Sequence, residues 1–202
     1  MALQPIRTTV FEDLITKANK ANLDVSSEKA RAWFRQQARN TTISPNKLLN
    51  AAEYNGKMTN AIGIGQMFLF NYDPKTKQDL PYYDTYPLVF PFNSSSEGFT
   101  GINLHYLPPV LRAKLMDSLY SITNNKRYDN TTRLNLSYEM LQSTSKFQYF
   151  KPCVKQYLYN HVRSRFLYIS PAEWDIALFL PLQNFVKASA GKVWADSRKA
   201  YF

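Results

Sequence analysis

Side chains able to do acid–base, nucleophilic or metal chemistry are few in this chain, and they are scattered. Its 202 residues contain two histidines, His105 and His161, and one cysteine, Cys153. His105 stands between Leu104 and Tyr106 in a run that reads as a strand, the setting of a hydrogen-bonded structural histidine. Around neither histidine do serine, cysteine and carboxylate positions form a recognisable nucleophilic arrangement. Cys153 follows Pro152 near a possible helix start, which would lower a thiol pKa, yet a lone cysteine reads first as a small buried hydrophobe. One cysteine also excludes an intrachain disulfide and a Cys-rich zinc site. Asp73, Asp79 and Asp84 are near enough in sequence to hold a divalent ion, as in a nuclease. Asp73-Pro74 with Lys75 and Lys77 is ordinary turn chemistry, however, and no Glu-x-Lys core follows on a second strand. Gly63-Ile64-Gly65 lacks the third glycine of a dinucleotide loop, and there is no P-loop. The reading is of a non-enzyme with no catalytic residue, no metal and no cofactor.

Cations are the stronger feature. Lys and Arg number 25 against 15 Asp and Glu, a net charge of +10, which favours a polyanionic partner such as nucleic acid or an acidic protein surface. The surplus is uneven: residues 1–65 carry +4, residues 66–107 carry −2 and residues 108–202 carry +8. Candidate phosphate contacts are Arg31, Arg35 and Arg39, spaced four apart, with Lys126 and Arg127, Lys151 and Lys155, Arg163 and Arg165, and Arg198 and Lys199. Several stand beside aromatics, among them Trp33, Phe34, Tyr157, Tyr159 and Trp194. Cations give sequence-independent affinity for a phosphate backbone, and aromatic faces stack on exposed bases. The same residue types also build protein interfaces, so the charge alone leaves both partners open.

The elements that must position these residues read as α+β. Thr8 or Thr9 caps a helix through Asn22, Ser26 or Ser27 opens a second with Trp33 and Phe34 on its apolar face, and Ser44-Pro45 opens a third. Runs 66–72, 86–92 and 99–107 read as strands, the second placed at an edge by Pro87 and Pro91. They predict a small bent antiparallel sheet or Src-homology-like barrel over about 66–107. Helices at Val110–Tyr120, from Ser137 to Leu141, after Lys151-Pro152, after Ser170-Pro171 and around 183–188 are expected beyond it, with a strand at Phe166–Ile169. The expected layout is an N-terminal helical arm (1–65), a β-rich core (66–107) and a basic helical region (108–202) packed as one unit. Its apolar runs are too short to span a bilayer, and the N-terminus has no signal-peptide core, which disfavours membrane and secreted classes.

A set of longer motifs adds to this reading. Phe68-Leu-Phe-Asn-Tyr-Asp-Pro-Lys75, Leu80-Pro-Tyr-Tyr-Asp84, Tyr86-Pro-Leu-Val-Phe90 and Gly98-Phe-Thr-Gly-Ile-Asn-Leu-His-Tyr-Leu107 come in close order. Phe150-Lys-Pro-Cys153, Glu173-Trp-Asp-Ile-Ala177 and Val193-Trp-Ala-Asp-Ser-Arg198 follow. Together, from about Gly65 to Arg198, they resemble the DNA end protector family of virion structural proteins from T-even-type contractile-tailed bacteriophages. The resemblance implies a non-enzymatic head or neck protein that sits on the end of the packaged genome and shields it from host exonuclease. It implies assembly in the host cytoplasm, residence in the virion, and double-stranded DNA ends and other virion proteins as partners, with no membrane and no small-molecule substrate. It brings no catalytic residue and no mapped DNA contact, so the cations named above rest on charge alone. Two alternatives stand beside it: a baseplate or tail-hub component held by protein contacts, and a metal-dependent nuclease of head completion built on Asp73, Asp79 and Asp84.

Overall fold

A computed structural model describes residues 9–24, 27–123, 125 and 127–199. The first arm folds from local signals. Helix α1 (Val10–Lys20) begins at Thr9, whose N–H is accepted by the Glu12 carboxylate at 2.7 Å while the Thr9 hydroxyl accepts the Glu12 N–H. This reciprocal capping satisfies two donors that a helix start leaves free. Ser27 caps α2 (Glu28–Arg39) and Ser44 caps α3 (Pro45–Tyr54) in the same way at one donor each. Ala30, Phe34 and Ala38 recur every four residues along α2 and are buried, so that face meets the core.

The strands are β1 (Met58–Thr59), β2 (Met67–Leu69), β3 (Tyr83–Asp84), β4 (Leu88–Ser94), β5 (Gly98–Asn103), β6 (Val154–Leu158), β7 (Phe166–Ile169) and β8 (Phe185–Val186). Six of them form one antiparallel sheet in the order β1-β7-β2-β4-β5-β6, while β3 pairs with β8 apart from it. The α+β class and the antiparallel sheet agree with the sequence reading. The barrel alternative does not form: β1 and β6 remain as the two edges of an open sheet. The sheet also reaches beyond 66–107, taking β1 from the first arm and β6 and β7 from the basic C-terminal region.

Several local expectations are corrected. Pro87 and Pro91 do not put their strand at an edge, because β4 lies between β2 and β5. Pro91 sits at the register shift before Asn93, where a missing N–H breaks no ladder bond, and its carbonyl accepts the Gly65 N–H at 2.8 Å. After Lys151-Pro152 a short 3₁₀ turn ends at Cys153 and the chain enters β6 rather than a helix. Five registered pairs with β5 decide this, since they fill the backbone donors and acceptors that β5 would otherwise expose. Helix α4 (Pro109–Thr123) is as expected, but α5 (Asn130–Lys146) starts from Asp129 and carries Ser137 in its buried interior. Residues 185–186 form β8 where a helix is expected, and α7 (Ala190–Lys199) follows it.

The sheet separates two apolar layers. Met67, Leu69, Leu88, Phe90 and Ile102 face the helices and share a core with Phe34, Leu119 and Trp174, the last from α6 (Trp174–Phe179). Their neighbours Phe68, Val89, Phe99, Tyr157 and Phe166 point to the other face. There Phe70 meets Phe166 edge-on at 5.1 Å and Tyr157 at 5.3 Å between ring centres, the arrangement aromatic quadrupoles prefer. Among the described residues no helix is long and apolar enough to cross a membrane.

Candidate nucleic-acid interface

The arginine stripe of α2 faces its own fold. Arg35 Nε donates to Asp175 of α6 at 2.7 Å and its Nη2 to Asp117 of α4 at 2.7 Å. Arg31 reaches the same Asp117 at 3.3 Å and lies 4.6 Å over the Tyr120 ring. The guanidinium of Arg39, an exposed residue, sits 4.7 Å over Phe179. A helix that looks like a phosphate comb in the sequence therefore clamps α4 and α6 through Arg31 and Arg35. Lys126 lies outside the described residues, while Arg127, Lys151, Arg198 and Lys199 are exposed. Arg198 and Lys199 end α7, where positive charge suits the helix dipole.

The remaining three candidates come together on one segment. Residues 154–166, from edge strand β6 to the start of β7, line two hollows. One is a groove of about 920 Å³ with Arg163 and Arg165 beside Asn60, Ser94 and Tyr159. Arg165 is fixed there, donating to Asn60 Oδ1 at 2.9 Å, the Met58 carbonyl at 2.7 Å and Glu53 at 3.0 Å. Arg163 is held less tightly: it is half-exposed, and its nearest carboxylate, Asp73, is 3.7 Å away. The other hollow is a pocket of about 310 Å³ that holds Lys155, with Lys75 and Tyr82 also in its wall.

Behind that pocket lies a buried polar network. His105 falls in a 3₁₀ turn rather than a strand, and its Nδ1 is 2.7 Å from Asp84 Oδ2. Asp84 Oδ1 accepts the Tyr86 and Asn184 N–H groups, and Oδ2 also faces the Asn103 amide, which donates to the Tyr157 hydroxyl at 3.0 Å. Burial alone would raise the Asp84 carboxyl, but His105 and these donors outweigh it and hold it below the usual carboxylate range. Burial lowers the His105 imidazole against the pull of Asp84, so it stays neutral and Nδ1 carries the proton. Arg112, also fully buried, donates to the carbonyls of Leu107 at 2.7 Å, Leu178 at 2.9 Å and His105 at 3.1 Å. Burial brings its pKa down to about 10, so it remains charged at neutral pH.

This chemistry is structural. His105 Nδ1 is turned to Asp84, and among the described residues its Nε2 has no partner to activate. Burial pushes the Cys153 thiol up to about 12, which keeps it from acting as a thiolate. Two of the three aspartates of the nuclease alternative are held differently: Asp84 is enclosed by the network, and Asp73 pairs with Lys77 at 2.8 Å on the surface. Among the described residues no three His, Cys, Asp or Glu side chains are grouped to share a metal. The neutral histidine has a measurable consequence. Unfolded His105 binds a proton below about pH 6.5 whereas the folded imidazole resists it, so stability must rise with pH through this window. The unfolding free energy from urea titrations is expected to be lower at pH 5 than at pH 7.5, falling by up to about 1.4 kcal/mol per pH unit for the one proton, with the urea midpoint falling alongside it. Equal midpoints would mean that the folded imidazole titrates normally.

Residues 9–199 match the family described as phage T4 terminal DNA protecting protein. The chain belongs to that family. No curated protein and no solved structure matches it. The match takes in α1, α2 and α3, where the sequence motifs above begin only near Gly65. For a member of the terminal DNA protecting family, the residues that sequence reasoning overlooked are Arg112 and the pocket tyrosines Tyr72, Tyr82 and Tyr106, which join the Tyr157 already singled out. Arg112 had a legible signal, since it shares the helical spacing of Leu115, Met116 and Leu119 and so falls on the buried face of α4. The tyrosines had none, because they come from segments up to 85 residues apart in the chain.

Proposed function

We propose that this protein binds the ends of double-stranded phage DNA without catalysis, as a virion structural component, and that residues 154–166 form its DNA-facing surface. The observation that carries the reading is the match of nearly the whole chain to the phage T4 terminal DNA protecting protein family. The surface assignment is supported by geometry. Arg31 and Arg35 are tied to Asp117 and Asp175, while Arg163 stands half-exposed in an open groove beside Tyr159. A half-free guanidinium can exchange a loose carboxylate for a phosphate, and each such exchange releases counterions from DNA.

The test is binding to linear against covalently closed circular duplex across a salt series, followed by exonuclease challenge. Linear DNA is expected to bind tighter and to survive digestion. Arg163→Glu is expected to lower the slope of log affinity on log salt by about one. Arg31 and Arg35 are poorer probes, because their replacement would also loosen α2 from α4 and α6. Equal binding of both DNA forms would overturn end recognition and favour a baseplate or tail-hub role, and magnesium-dependent loss of DNA would overturn the absence of catalysis.

A further inference from the structure

We infer that the pocket beside β6 takes a single unpaired nucleotide at the DNA terminus, its base among the tyrosine rings and its phosphate on Lys155 and Lys75. This rests on the end-binding reading above and gives it a mechanism. At about 310 Å³ the pocket is at the small end of ligand sites, with room for one nucleotide and none for a duplex. Tyr82 is half-buried in its wall, with Tyr72, Tyr106 and Tyr157 buried around it. Tyr82, less buried than the other three, can hold any base by stacking without reading its sequence.

Lys155 supplies the second, independent observation. Its Nζ lies 4.2 Å over the Tyr106 ring, and among the described residues it has no hydrogen-bond or ion-pair partner. Partial burial lowers its pKa. Both oxygens of the nearby Asp84 are already filled by four donors, so that carboxylate does not serve as its partner. An incoming phosphate would complete Lys155, and the exposed Lys75, which also lines the pocket, adds a second cation. Taking a nucleotide out of the stack is least costly where it is already unpaired. A site built this way therefore favours ends over duplex interior whatever their sequence.

The experiment compares three labelled duplexes: one with single-nucleotide 5′ extensions, one blunt, and one closed by hairpins at both ends, with dAMP titrated separately by calorimetry. The full chain is expected to prefer the extended ends. Lys155→Gln is expected to lose about tenfold or more on open ends and nothing on the hairpin-closed duplex, and to lose dAMP binding. Lys75→Glu, on an exposed turn, reads the same interaction should the Lys155 variant fold poorly, and it is expected to weaken open-end binding alone. If the unaltered chain prefers open ends but Lys155→Gln, Lys75→Glu and Tyr82→Ala all keep the preference, the pocket inference fails while the end-binding reading stands. If the unaltered chain treats open and closed duplexes alike, both fail, and dAMP binding in that case would assign the pocket to free nucleotides.

Discussion

Asp84→Ala is expected to cost about 3–5 kcal/mol of folding stability, because it orphans several buried hydrogen-bond donors at about 1–3 kcal/mol each. The Asp84 side chain is 1% exposed and takes hydrogen bonds from four groups: His105 Nδ1, the Asn103 amide, and the Tyr86 and Asn184 N–H groups. Alanine leaves all four buried or half-buried donors without their acceptor, and it deprives Arg112 of the nearby anion that offsets its burial. The effect spreads, because Asp84 joins β3, the β5 end and the segment before β8 at one point. For a chain of this length the thermal midpoint is expected to drop by about 6–20 °C. Urea unfolding followed by tyrosine and tryptophan fluorescence measures it. A loss below about 1 kcal/mol would show that water replaces the carboxylate and that the network is not a stability centre.

Arg112→Met is expected to cost a similar amount, about 3–5 kcal/mol, although methionine fills much of the same volume. Here the loss comes from acceptors rather than from charge. Three main-chain carbonyls, those of His105, Leu107 and Leu178, take their hydrogen bonds from this one guanidinium, and each orphaned buried carbonyl costs about 1–3 kcal/mol. Trp194 Nε1 also donates to the His105 carbonyl at 2.9 Å, so that oxygen keeps one partner and the total stays below three full losses. Arg112→Lys should recover little, because one ammonium on a flexible stem does not reproduce a fork that spans three carbonyls. Since Asp84 and Arg112 act in one network, the double variant is expected to be less destabilised than the sum of the two singles. Strict additivity would show that the two groups act independently.

Much of the local structure was legible in the chain. Thr9 with Glu12, Ser27 with Glu28, Ser44-Pro45 and Ser170-Pro171-Ala172-Glu173 mark helix starts by side chains that satisfy nearby backbone donors or suit the helix dipole, and those starts stand where the sequence puts them. The strand runs at 67–69, 88–94, 98–103 and 166–169 were legible from aromatic and β-branched content between turns. Where the reading failed, a distant partner decided the outcome. Val154–Leu158 has residues a helix would tolerate, and β5 drew it into the sheet from more than fifty residues away. Phe185–Val186 is a strand only because Tyr83–Asp84 lies against it. Pro91 signals an edge in isolation, and the register shift in β4 makes it harmless inside.

The candidate site divides along the same line. A basic, aromatic-rich chain of α+β class, with motifs that resemble DNA end protectors, could be read directly, because composition, caps and short motifs are local properties of the chain. Only the tertiary structure decided which cations remain available to a partner. Arg31 and Arg35 lost that availability to Asp117 and Asp175, carboxylates 82 to 140 residues further along, because a charge leaving water in the fold must find its counter-charge. Lys155 kept it because both oxygens of Asp84, in the same pocket, are taken by other donors and its Nζ rests over the Tyr106 ring instead. Spacing in a sequence tells how many charges a surface has to offer, and packing settles which of them the fold has already used.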